Sequence, residues 1–485
     1  MSVTDFQTKD KLFIGGSFVA PATDATIEVV SPVTEQAIGR TPEARPEDID
    51  RAVAAARTAF DEGPWPQIAV SERIEVMRRF RDAYAARMQE TATLIASEVG
   101  TPISWSLRGQ VGASVGVLDY YLGMAPDFAW EREEQGAGRP VLVRQEPVGV
   151  VAAIVAWNAP HFISFSKLAP ALVAGCTVVL KVSPENALSS YIIAEAAVEA
   201  GLPEGVLSVL PTDRGPSAYL AQHPDIDKVA FTGSVAAGKA VMAAAAANLT
   251  RVTLELGGKS AAIILEDADL DITLPALMPH LIPNNGQVCI SMTRVLAPRS
   301  RYKEVVERLA EQFRTMVVGD PLDPATTVGP LVSERQRDRV EGYIAKGLAE
   351  GARLVVGGGR PAHRESGWYV EPTLFADVDN AMTIAQEEIF GPVVAVIPFE
   401  DEDDAVRISN NSDYGLHGTV FSVDEQRALA LANHLRTGTV GVNGGGIAFN
   451  VPFGGYKKSG IGREFGPEGL QAYLESKAVF NWTRR

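Results

Sequence analysis

Few cysteines and no long apolar runs limit what this chain can be. Its two cysteines, Cys176 and Cys289, are too few for a disulfide framework, so we expect a reducing, cytoplasmic location. The six histidines never fall at metal-ligand spacing with one another or with a cysteine, so we predict no metal site. Segment 1–16 lacks the apolar core of a signal peptide, and the longest largely apolar run, 168–180, is too short to span a bilayer.

Basic residues are also scarce relative to acidic ones. The chain has 44 Lys and Arg against 60 Asp and Glu, a formal net charge of −16. An acidic surface repels phosphate backbones and anionic lipids, so we expect neither a nucleic-acid nor a membrane partner. At 485 residues the chain is longer than a single hydrophobic core supports, about 250–300 residues. The composition therefore predicts a globular protein of more than one domain.

Strand-like and helix-like segments alternate from about residue 149. The strand-like runs are apolar throughout, which is typical of strands buried on both faces of a parallel sheet. We predict strands at 149–156, 177–181, 206–210, 228–231 and 252–255, separated by helices at 162–174, 189–200, 216–222 and 235–247. This order predicts a doubly wound, Rossmann-like parallel sheet.

A second α/β unit is predicted after residue 258. Its elements are an amphipathic helix at 302–316 and strands near 353–356, 393–398, 418–422 and 439–442. Segment 138–149 is predicted to be an isolated β arm, whose unprotected edge would pair with another subunit. The fold class is thus two α/β domains with a small β arm.

The segment "FTGSVAAGKA", 231–240, resembles a phosphate-binding P-loop. Gly233, Gly238 and Lys239 fit that pattern, but Ala240 stands where the hydroxyl that binds Mg²⁺ is required. The segment lies where a strand meets a helix N-terminus, which favours an anion whichever fingerprint is used. A plain strand–helix turn fits the same residues equally well, and no G-x-G-x-x-G pattern follows any predicted strand.

Three residues have sequence surroundings that do not suit an ordinary position in the hydrophobic core. Cys289 is in the polar, glycine-containing stretch "NNGQVCISMTR", whereas Cys176 in "LVAGCTVVL" fits a buried apolar position. Glu255 ends a predicted strand and precedes two glycines, and Asn158 follows another strand at its carboxyl end. Open α/β sheets bind ligands at that edge, so these residues predict a site.

Several separate motifs, in order, resemble the aldehyde dehydrogenase superfamily over nearly the whole chain. They are "AWNAP" (156–160), "LKVSPE" (180–185), "FTGS" (231–234), "ELGGKS" (255–260), "GQVC" (286–289), "EEIFGPV" (387–393) and "PFGGYKKSGIGRE" (452–464). The resemblance implies an NAD(P)-binding domain at 1–124 and 148–257, a catalytic domain at 258–450, and an oligomerisation arm and strands at 125–147 and 466–485. It also implies a homodimer or homotetramer.

The same resemblance assigns catalytic roles. Cys289 is the expected nucleophile, which attacks an aldehyde to form a thiohemiacetal and then a thioester. Asn158 and the Cys289 backbone N–H would hold the oxyanion, and Glu255 would activate the water that hydrolyses the thioester. Lys167 and Glu464 form either a proton relay behind Glu255 or a simple ion pair.

Cofactor residues are implied by the resemblance in the same way. The expected contacts with NAD or NADP are Trp157, Lys181, Glu185, Gly233, Ser234, Gly257, Glu388 and Phe390. Many NAD-preferring members carry Glu three residues after the ribose lysine, whereas this chain has Pro184 there with Glu185 next to it. We therefore favour NAD and keep NADP as the alternative. The small residues Ala159 and Ser166 predict a wide substrate funnel.

Three rival functions fit part of the sequence. A CoA-acylating semialdehyde dehydrogenase shares the fold but lacks the water-activating carboxylate that Glu255 supplies here. A P-loop nucleotide-binding protein would need a hydroxyl at position 240. A catalytically silent relative would not need Cys289, Glu255 and Asn158 together.

Overall fold

A computed structural model describes residues 6–136 and 138–480 of the chain. Within these ranges the strands form one eight-stranded, one seven-stranded and two three-stranded sheets. The strands are β1 Gln7–Thr8, β2 Leu12–Ile14, β3 Ser17–Val19, β4 Thr26–Val30, β5 Ala37–Pro42, β6 Glu131–Gln135, β7 Pro140–Pro147, β8 Val150–Ile154, β9 Thr177–Val182, β10 Leu207–Pro211, β11 Lys228–Thr232, β12 Arg251–Glu255, β13 Ala261–Ile264, β14 Arg294–Pro298, β15 Arg353–Val356, β16 Thr373–Ala376, β17 Val393–Phe399, β18 His417–Phe421, β19 Thr439–Val442, β20 Gly460–Ile461 and β21 Leu474–Val479.

The helices of the described residues lie between and around these strands. They are α1 Pro46–Asp61, α2 Val70–Ala85, α3 Met88–Val99, α4 Ile103–Trp105, α5 Ala113–Met124, α6 Pro160–Ala174, α7 Ser190–Glu199, α8 Arg214–Ala221, α9 Val235–Ala246, α10 Leu270–Leu281, α11 Tyr302–Arg314, α12 Glu334–Ala349, α13 Thr383–Gln386, α14 Glu402–Asn410, α15 Glu425–Ala432 and α16 Gly466–Gln471. A π-helical segment, Ser106–Gly112, joins α4 to α5. Each helix in the described ranges is too short or too polar to cross a membrane.

The eight-stranded sheet has the order β20-β12-β11-β8-β9-β10-β2-β3. Strands β8 to β12 are mutually parallel, and the added strands β2 and β20 pair antiparallel with their neighbours. The side chains of β8 alternate between two cores, with Val151 and Ala153 in one and Val150, Ala152 and Ile154 in the other. Burial on both faces explains why these strands read as continuous apolar runs.

Strand order in this sheet reverses between β8 and β11, because the chain first adds β9 and β10 on one side and then β11 and β12 on the other. Such a switch point is where open α/β sheets bind ligands. The predicted Rossmann-like sheet is confirmed, and its five predicted strands differ from the observed ones by at most two residues at either end.

The seven-stranded sheet has the order β15-β16-β17-β14-β13-β18-β19 and is parallel except at β15. The short segment 256–260 connects β12 of the first sheet to β13 of this one. The segment 282–293 leads from α10 to β14 and is hydrogen-bonded to Asn158, which follows β8 of the first sheet. Residues on these two connections therefore lie between the sheets.

The arm is a three-stranded antiparallel sheet rather than an isolated strand. Strand β7 lies in its centre, with β6 on one side and the C-terminal strand β21 on the other. The prediction of a lone arm with an unprotected edge at 138–149 is wrong in this respect. Both edges of β7 are satisfied within one chain, and the outer edges belong to β6 and β21.

Candidate active site

Four predicted site residues flank the switch point of the eight-stranded sheet. Trp157 and Asn158 follow the end of β8, and Gly233 and Ser234 follow the end of β11. Asn158 is buried, whereas Ser234 is exposed at the N-cap of α9, where its hydroxyl oxygen accepts from Ala237 N at 3.3 Å. The start of α9 thus opens to solvent beside the switch point, as an anion site requires.

The second glycine of the P-loop-like segment has a packing role. A Cβ at Gly238 would lie 2.5 Å from Leu256 Cδ2, so the missing side chain lets α9 approach the strand end closely. Lys239 is exposed. This half of the segment is therefore explained by helix packing, without a phosphate.

Cys289 lies on a loop held by two asparagines with left-handed backbones. Asn284 and Asn285 have φ of 48° and 62°, a conformation that asparagine tolerates better than most residues. The Asn285 amide donates to the carbonyls of Gly100 and Pro330 at 2.9 and 2.8 Å. These bonds fix the path of the loop, and Cys289 itself is a free, half-buried thiol.

Asn158 bonds directly to this loop. Its side-chain Nδ2 donates to the Gln287 carbonyl at 2.8 Å, two residues before Cys289. Its backbone carbonyl accepts from Asn284 Nδ2 at 2.8 Å and from Gln110 Nε2 at 3.1 Å. The structure therefore brings the predicted oxyanion donor against the loop that carries the predicted nucleophile.

Glu255 is a buried carboxylate at the end of β12. Among the described residues, neither of its carboxylate oxygens has a hydrogen-bond partner. Burial raises its pKa well above the ordinary value, the charge of Glu464 raises it further, and Lys167 and Arg463 oppose the rise. Gly454 lies beside it, since a Cβ there would be 2.8 Å from Glu255 Oε1. Such a group accepts a proton readily.

The two glycines after Glu255 accommodate other parts of the site. A Cβ at Gly258 would overlap the Cys289 carbonyl, and one at Gly257 would overlap the Glu388 carboxylate. Cys289 therefore packs on the backbone three residues beyond Glu255. Burial and the carboxylates of Glu388 and Glu255 raise the pKa of the Cys289 thiol. Glu255 and Cys289 therefore lie near enough for the charge of one to act on the other.

Lys167 and Glu464 form a buried ion pair. Lys167 Nζ lies 2.6 Å from Glu464 Oε1 and donates to Thr232 Oγ1 at 2.7 Å. Thr232 is opposite Glu255 in the register of β11 and β12. The structure therefore places the pair close enough to influence the charge of Glu255, while Glu255 itself accepts no hydrogen bond from it.

Glu388 and Phe390 are held by α12. Arg339 Nη2 donates to the Glu388 carbonyl at 2.6 Å, and Gln336 Nε2 donates to the Phe390 carbonyl at 2.8 Å. Phe390 has a φ of 64°, which is unfavourable for an aromatic residue and is maintained by these bonds. Its ring meets that of Trp157 edge-on at 5.4 Å.

The Glu388 side chain accepts a hydrogen bond from Gly258 N at 3.0 Å, and burial raises the pKa of this carboxyl to about 7. In the structure, the Glu388 carboxylate is the group that lies close to Gly257. The predicted contact of Gly257 with a cofactor stays a prediction.

Lys181 and Glu185 lie at the end of β9, next to the switch point. Lys181 is buried, and burial lowers the pKa of its ammonium to about 8, although Glu185 and Asp213 oppose the change. Glu185 lies 3.9 Å from the exposed Arg335 of α12. A buried ammonium and a nearby carboxylate can together bind the two hydroxyls of a ribose.

Sequence reasoning did not identify Gln110, Asn284 or Gly454 as site residues. The paired asparagines in "NNGQVC" carried a signal, because asparagine is enriched at left-handed backbone positions. Gln110 and Gly454 carried none, since their importance lies in contacts with residues far away in the sequence.

Together, the doubly wound sheet and the residues at its switch point define an oxidoreductase of the dinucleotide-binding class with a cysteine between its two sheets. The model of the aldehyde dehydrogenase family matches residues 18–479. The chain belongs to the aldehyde dehydrogenase family. The predicted family and fold class are confirmed, as are aldehyde oxidation and NAD(P) dependence.

Named relatives are similar over nearly their full length. A geranial dehydrogenase of Castellaniella defragrans is 48% identical over 97% of this chain and 98% of its own. A 3-succinoylsemialdehyde-pyridine dehydrogenase of a Pseudomonas species is 43% identical over 97% of this chain and 98% of its own. A Mycobacterium tuberculosis aldehyde dehydrogenase, solved in complex with NAD+, superimposes with a TM-score of 0.97 at 48% identity, covering 99% of this chain and 100% of that one.

Proposed function

We propose that Cys289, Asn158 and Glu255 carry out the oxidation of an aldehyde to its carboxylic acid. The observation that supports this most strongly concerns the buried Glu255 carboxylate, which has no hydrogen-bond partner among the described residues. It lies near enough to the half-buried Cys289 to raise the pKa of the thiol. A carboxylate that forms no structural bond is available to take a proton from a thiol or a water.

In the first step the Cys289 thiol loses its proton to Glu255 and its sulfur bonds to the aldehyde carbon, giving a thiohemiacetal. The Asn158 amide has two N–H donors, and Gln287 accepts only one of them. The other donor and the Cys289 backbone N–H stabilise the negative charge on the aldehyde oxygen. NAD(P), held by the residues at the switch point, would supply the hydride acceptor that conversion of the thiohemiacetal to a thioester requires.

Glu255 then releases the thiol proton to solvent and is again a carboxylate. In the last step it takes a proton from a water, whose oxygen attacks the thioester carbon. The carbon–sulfur bond then breaks, releasing the carboxylic acid and the Cys289 thiolate. Lys167 and Glu464 remain an ion pair near Glu255, and their opposite charges nearly cancel. Water, rather than CoA, resolves the thioester, because Glu255 is present to activate it.

The residues at the switch point suit a dinucleotide. Lys181 offers a buried ammonium, Glu388 a carboxylate beside Gly257, and Phe390 with Trp157 an aromatic corner for the nicotinamide. The exposed N-terminus of α9 at Ser234 suits the pyrophosphate.

NAD is the preferred cofactor in this proposal. Glu185 lies close enough to Lys181 to raise the pKa of the Lys181 ammonium, so the Glu185 carboxylate is near the site expected for the adenine ribose. A carboxylate there accepts a hydrogen bond from the 2′-hydroxyl and repels a 2′-phosphate. Glu185 therefore replaces the carboxylate that Pro184 removes.

The proposed substrate is a bulky apolar aldehyde. Ala159 at the N-cap of α6 and Ser166 within α6 add little side-chain volume, and the rings of Phe162 on α6 and Phe449 lie 6.3 Å apart, centroid to centroid. An apolar funnel favours apolar substrates by the surface they bury. Two relatives are named for geranial and for a pyridine-bearing semialdehyde, which agrees with this size and character.

Domain division and assembly are part of the proposal. Strands β13–β19 all lie within the proposed catalytic domain, 258–450, and the parallel core β8–β12 lies within 148–257. The arm with 466–485 would mediate a homodimer or homotetramer. The few cysteines favour a cytoplasmic location.

One experiment tests these proposals. NADH or NADPH formation is followed at 340 nm without CoA, for acetaldehyde, octanal, geranial and benzaldehyde, with the wild type and with Cys289→Ser and Glu185→Gln. We expect activity without CoA and at least tenfold higher kcat/KM for geranial than for acetaldehyde. Cys289→Ser should show no turnover. In Glu185→Gln, kcat/KM with NADP should increase relative to kcat/KM with NAD. A CoA requirement would disprove the hydrolytic role, and equal kcat/KM for acetaldehyde and benzaldehyde would disprove the wide funnel.

A further inference from the structure

The backbone carbonyl of Asn158 is bound by two side-chain amides from distant parts of the chain. Gln110 of the π-helical segment donates to it at 3.1 Å, and Asn284 of the loop before Cys289 donates at 2.8 Å. Both side chains are at most 3% exposed. A buried carbonyl needs one donor, so a second donor adds a directional restraint.

Asn158 in turn donates a hydrogen bond to the loop that contains Asn284. Asn158 Nδ2 donates to the carbonyl of Gln287, which is on the same loop as Asn284. The two bonds close a ring between the strand end that carries the oxyanion donor and the loop that carries the nucleophile. Within this ring the Asn158 side chain cannot rotate without breaking a bond.

We propose that Asn284 is a positioning residue that fixes the Asn158 amide relative to Cys289, an inference that rests on the proposed function of these two residues. Its left-handed backbone, with φ 48° and ψ 50°, turns the amide towards Asn158. The Asn284 Oδ1 atom has no partner among the described residues, so its Nδ2 bond to Asn158 is the amide's one bond there.

The neighbouring Asn285 separates this role from a structural one. Asn285 has the same kind of backbone but bonds to Gly100, Gly329 and Pro330, and none of its bonds reaches Asn158. Loss of Asn285 should loosen the loop, whereas loss of Asn284 should misplace the oxyanion donor. Preorganised donors act through their placement, so a misplaced amide slows the reaction without weakening cofactor binding.

The test is a double-mutant cycle between Asn284→Gly and Asn158→Ala, with NAD and the best aldehyde of the substrate series. Glycine keeps the left-handed backbone and removes only the amide. We expect Asn284→Gly to lower kcat and the pre-steady-state burst rate 10- to 100-fold, with KM for NAD changed less than twofold. In the Asn158→Ala background the same change should lower both rates less than threefold, because the amide it positions is gone.

An equal loss in both backgrounds would overturn the inference. A normal kcat for Asn158→Ala would instead overturn the proposed function, so the two failures are distinguishable. Asn285→Gly is the matched control, and we expect it to lower the apparent Tm and to lower kcat by the same factor in both backgrounds. Coupling of Asn285 as strong as that of Asn284 would also count against the inference.

A second variant keeps the test decisive if Asn284→Gly folds poorly. Gln110→Met removes the other donor to the Asn158 carbonyl and preserves side-chain length. It should show the same coupling to Asn158→Ala with a smaller loss of kcat. Additivity of this pair would overturn the positioning role of the ring.

Discussion

At the scale of the single residue, Glu255 has the surroundings that most restrict its role. It is buried, it has no hydrogen-bond partner among the residues described, and its pKa is raised by burial and by Glu464. A purely structural carboxylate would be bonded, because an unpaired buried one is unfavourable. The uncompensated burial is consistent with a base that exchanges protons during turnover.

Replacing Glu255 by Gln should separate the two halves of the reaction. Without a base for water, thioester hydrolysis slows, and steady-state kcat should fall on the order of 10²–10⁴-fold. Formation of the thioester, in which Glu255 only takes the thiol proton, should slow less than its hydrolysis, so stopped-flow absorbance at 340 nm should still show a burst close to one equivalent per site. Loss of the burst would assign Glu255 mainly to activation of Cys289.

Glu464→Gln provides the control for this change. It removes the charge paired with Lys167 but leaves Glu255 in place. We expect a smaller loss of kcat than for Glu255→Gln. An equal loss would indicate that the pair relays the proton.

The chemical role of a single residue could be predicted from the sequence only where its type did not suit its position in the predicted fold. Cys289, Glu255 and Asn158 stood out because polar groups at strand ends and in a glycine-containing loop are poor core residues. Gln110 and Asn284 did not, because they act on Asn158 from 48 and 126 residues away. Such contacts follow from the fold and not from local sequence pattern.

At the scale of the element, helix α7 depends on a buried carboxylate from α3. Glu98 accepts from the backbone N–H groups of Leu188 and Ser189, just before α7, at 2.7 and 3.2 Å. Burial raises the pKa of this carboxyl to about 8, and the N–H bonds oppose the rise. The folded protein therefore binds a proton at Glu98 that the unfolded chain releases near its ordinary pKa of 4.5.

This difference makes stability depend on pH. Between about pH 4.5 and pH 8 the folded state holds one more proton than the unfolded state, so the stability contributed by this group falls as pH rises. Glu98→Gln keeps an acceptor oxygen and removes the titration. The apparent Tm of the variant relative to wild type, measured by scanning calorimetry, should therefore increase from pH 5 to pH 8. A constant or decreasing difference would contradict the raised pKa.

Elements were predictable where burial imposed a regular pattern. Strands β8–β12 are apolar runs between helices and were located closely. Helix α9 was located from the alternation of strands and helices, and α11 from its amphipathic periodicity. Strand β6 was missed because all five of its residues are charged or polar and exposed. Its pairing with β7, and not its composition, makes it a strand.

At the scale of the whole molecule, the arm offers two outer edges. Strand β6 is exposed along its length, and β21 has three exposed residues, so both present unpaired backbone groups to solvent. Open edges of this kind favour pairing with another chain. The arm was predicted from sequence, but not the internal pairing of β7 with β21, because strands of such different sequence position give no local sign of their partnership.

Light scattering after size exclusion should therefore give two or four times the mass of one chain. Glu133→Pro on β6 and Ser476→Pro on β21 each interrupt one edge, since proline cannot donate a backbone hydrogen bond. At least one of the two should reduce the mass of the assembly. A wild-type monomer would disprove association, and full-size assembly of both variants would place the interface elsewhere.

The ion pair between Lys167 and Glu464 joins positions 297 residues apart. Gly454, which lies against the Glu255 carboxylate, also comes from the last part of the chain. During synthesis the ribosome therefore finishes strands β8–β12 long before Glu255 acquires its final electrostatic surroundings. A chain that ends before residue 454 would lack both Gly454 and Glu464 beside Glu255, so we expect such a chain to be unable to oxidise an aldehyde.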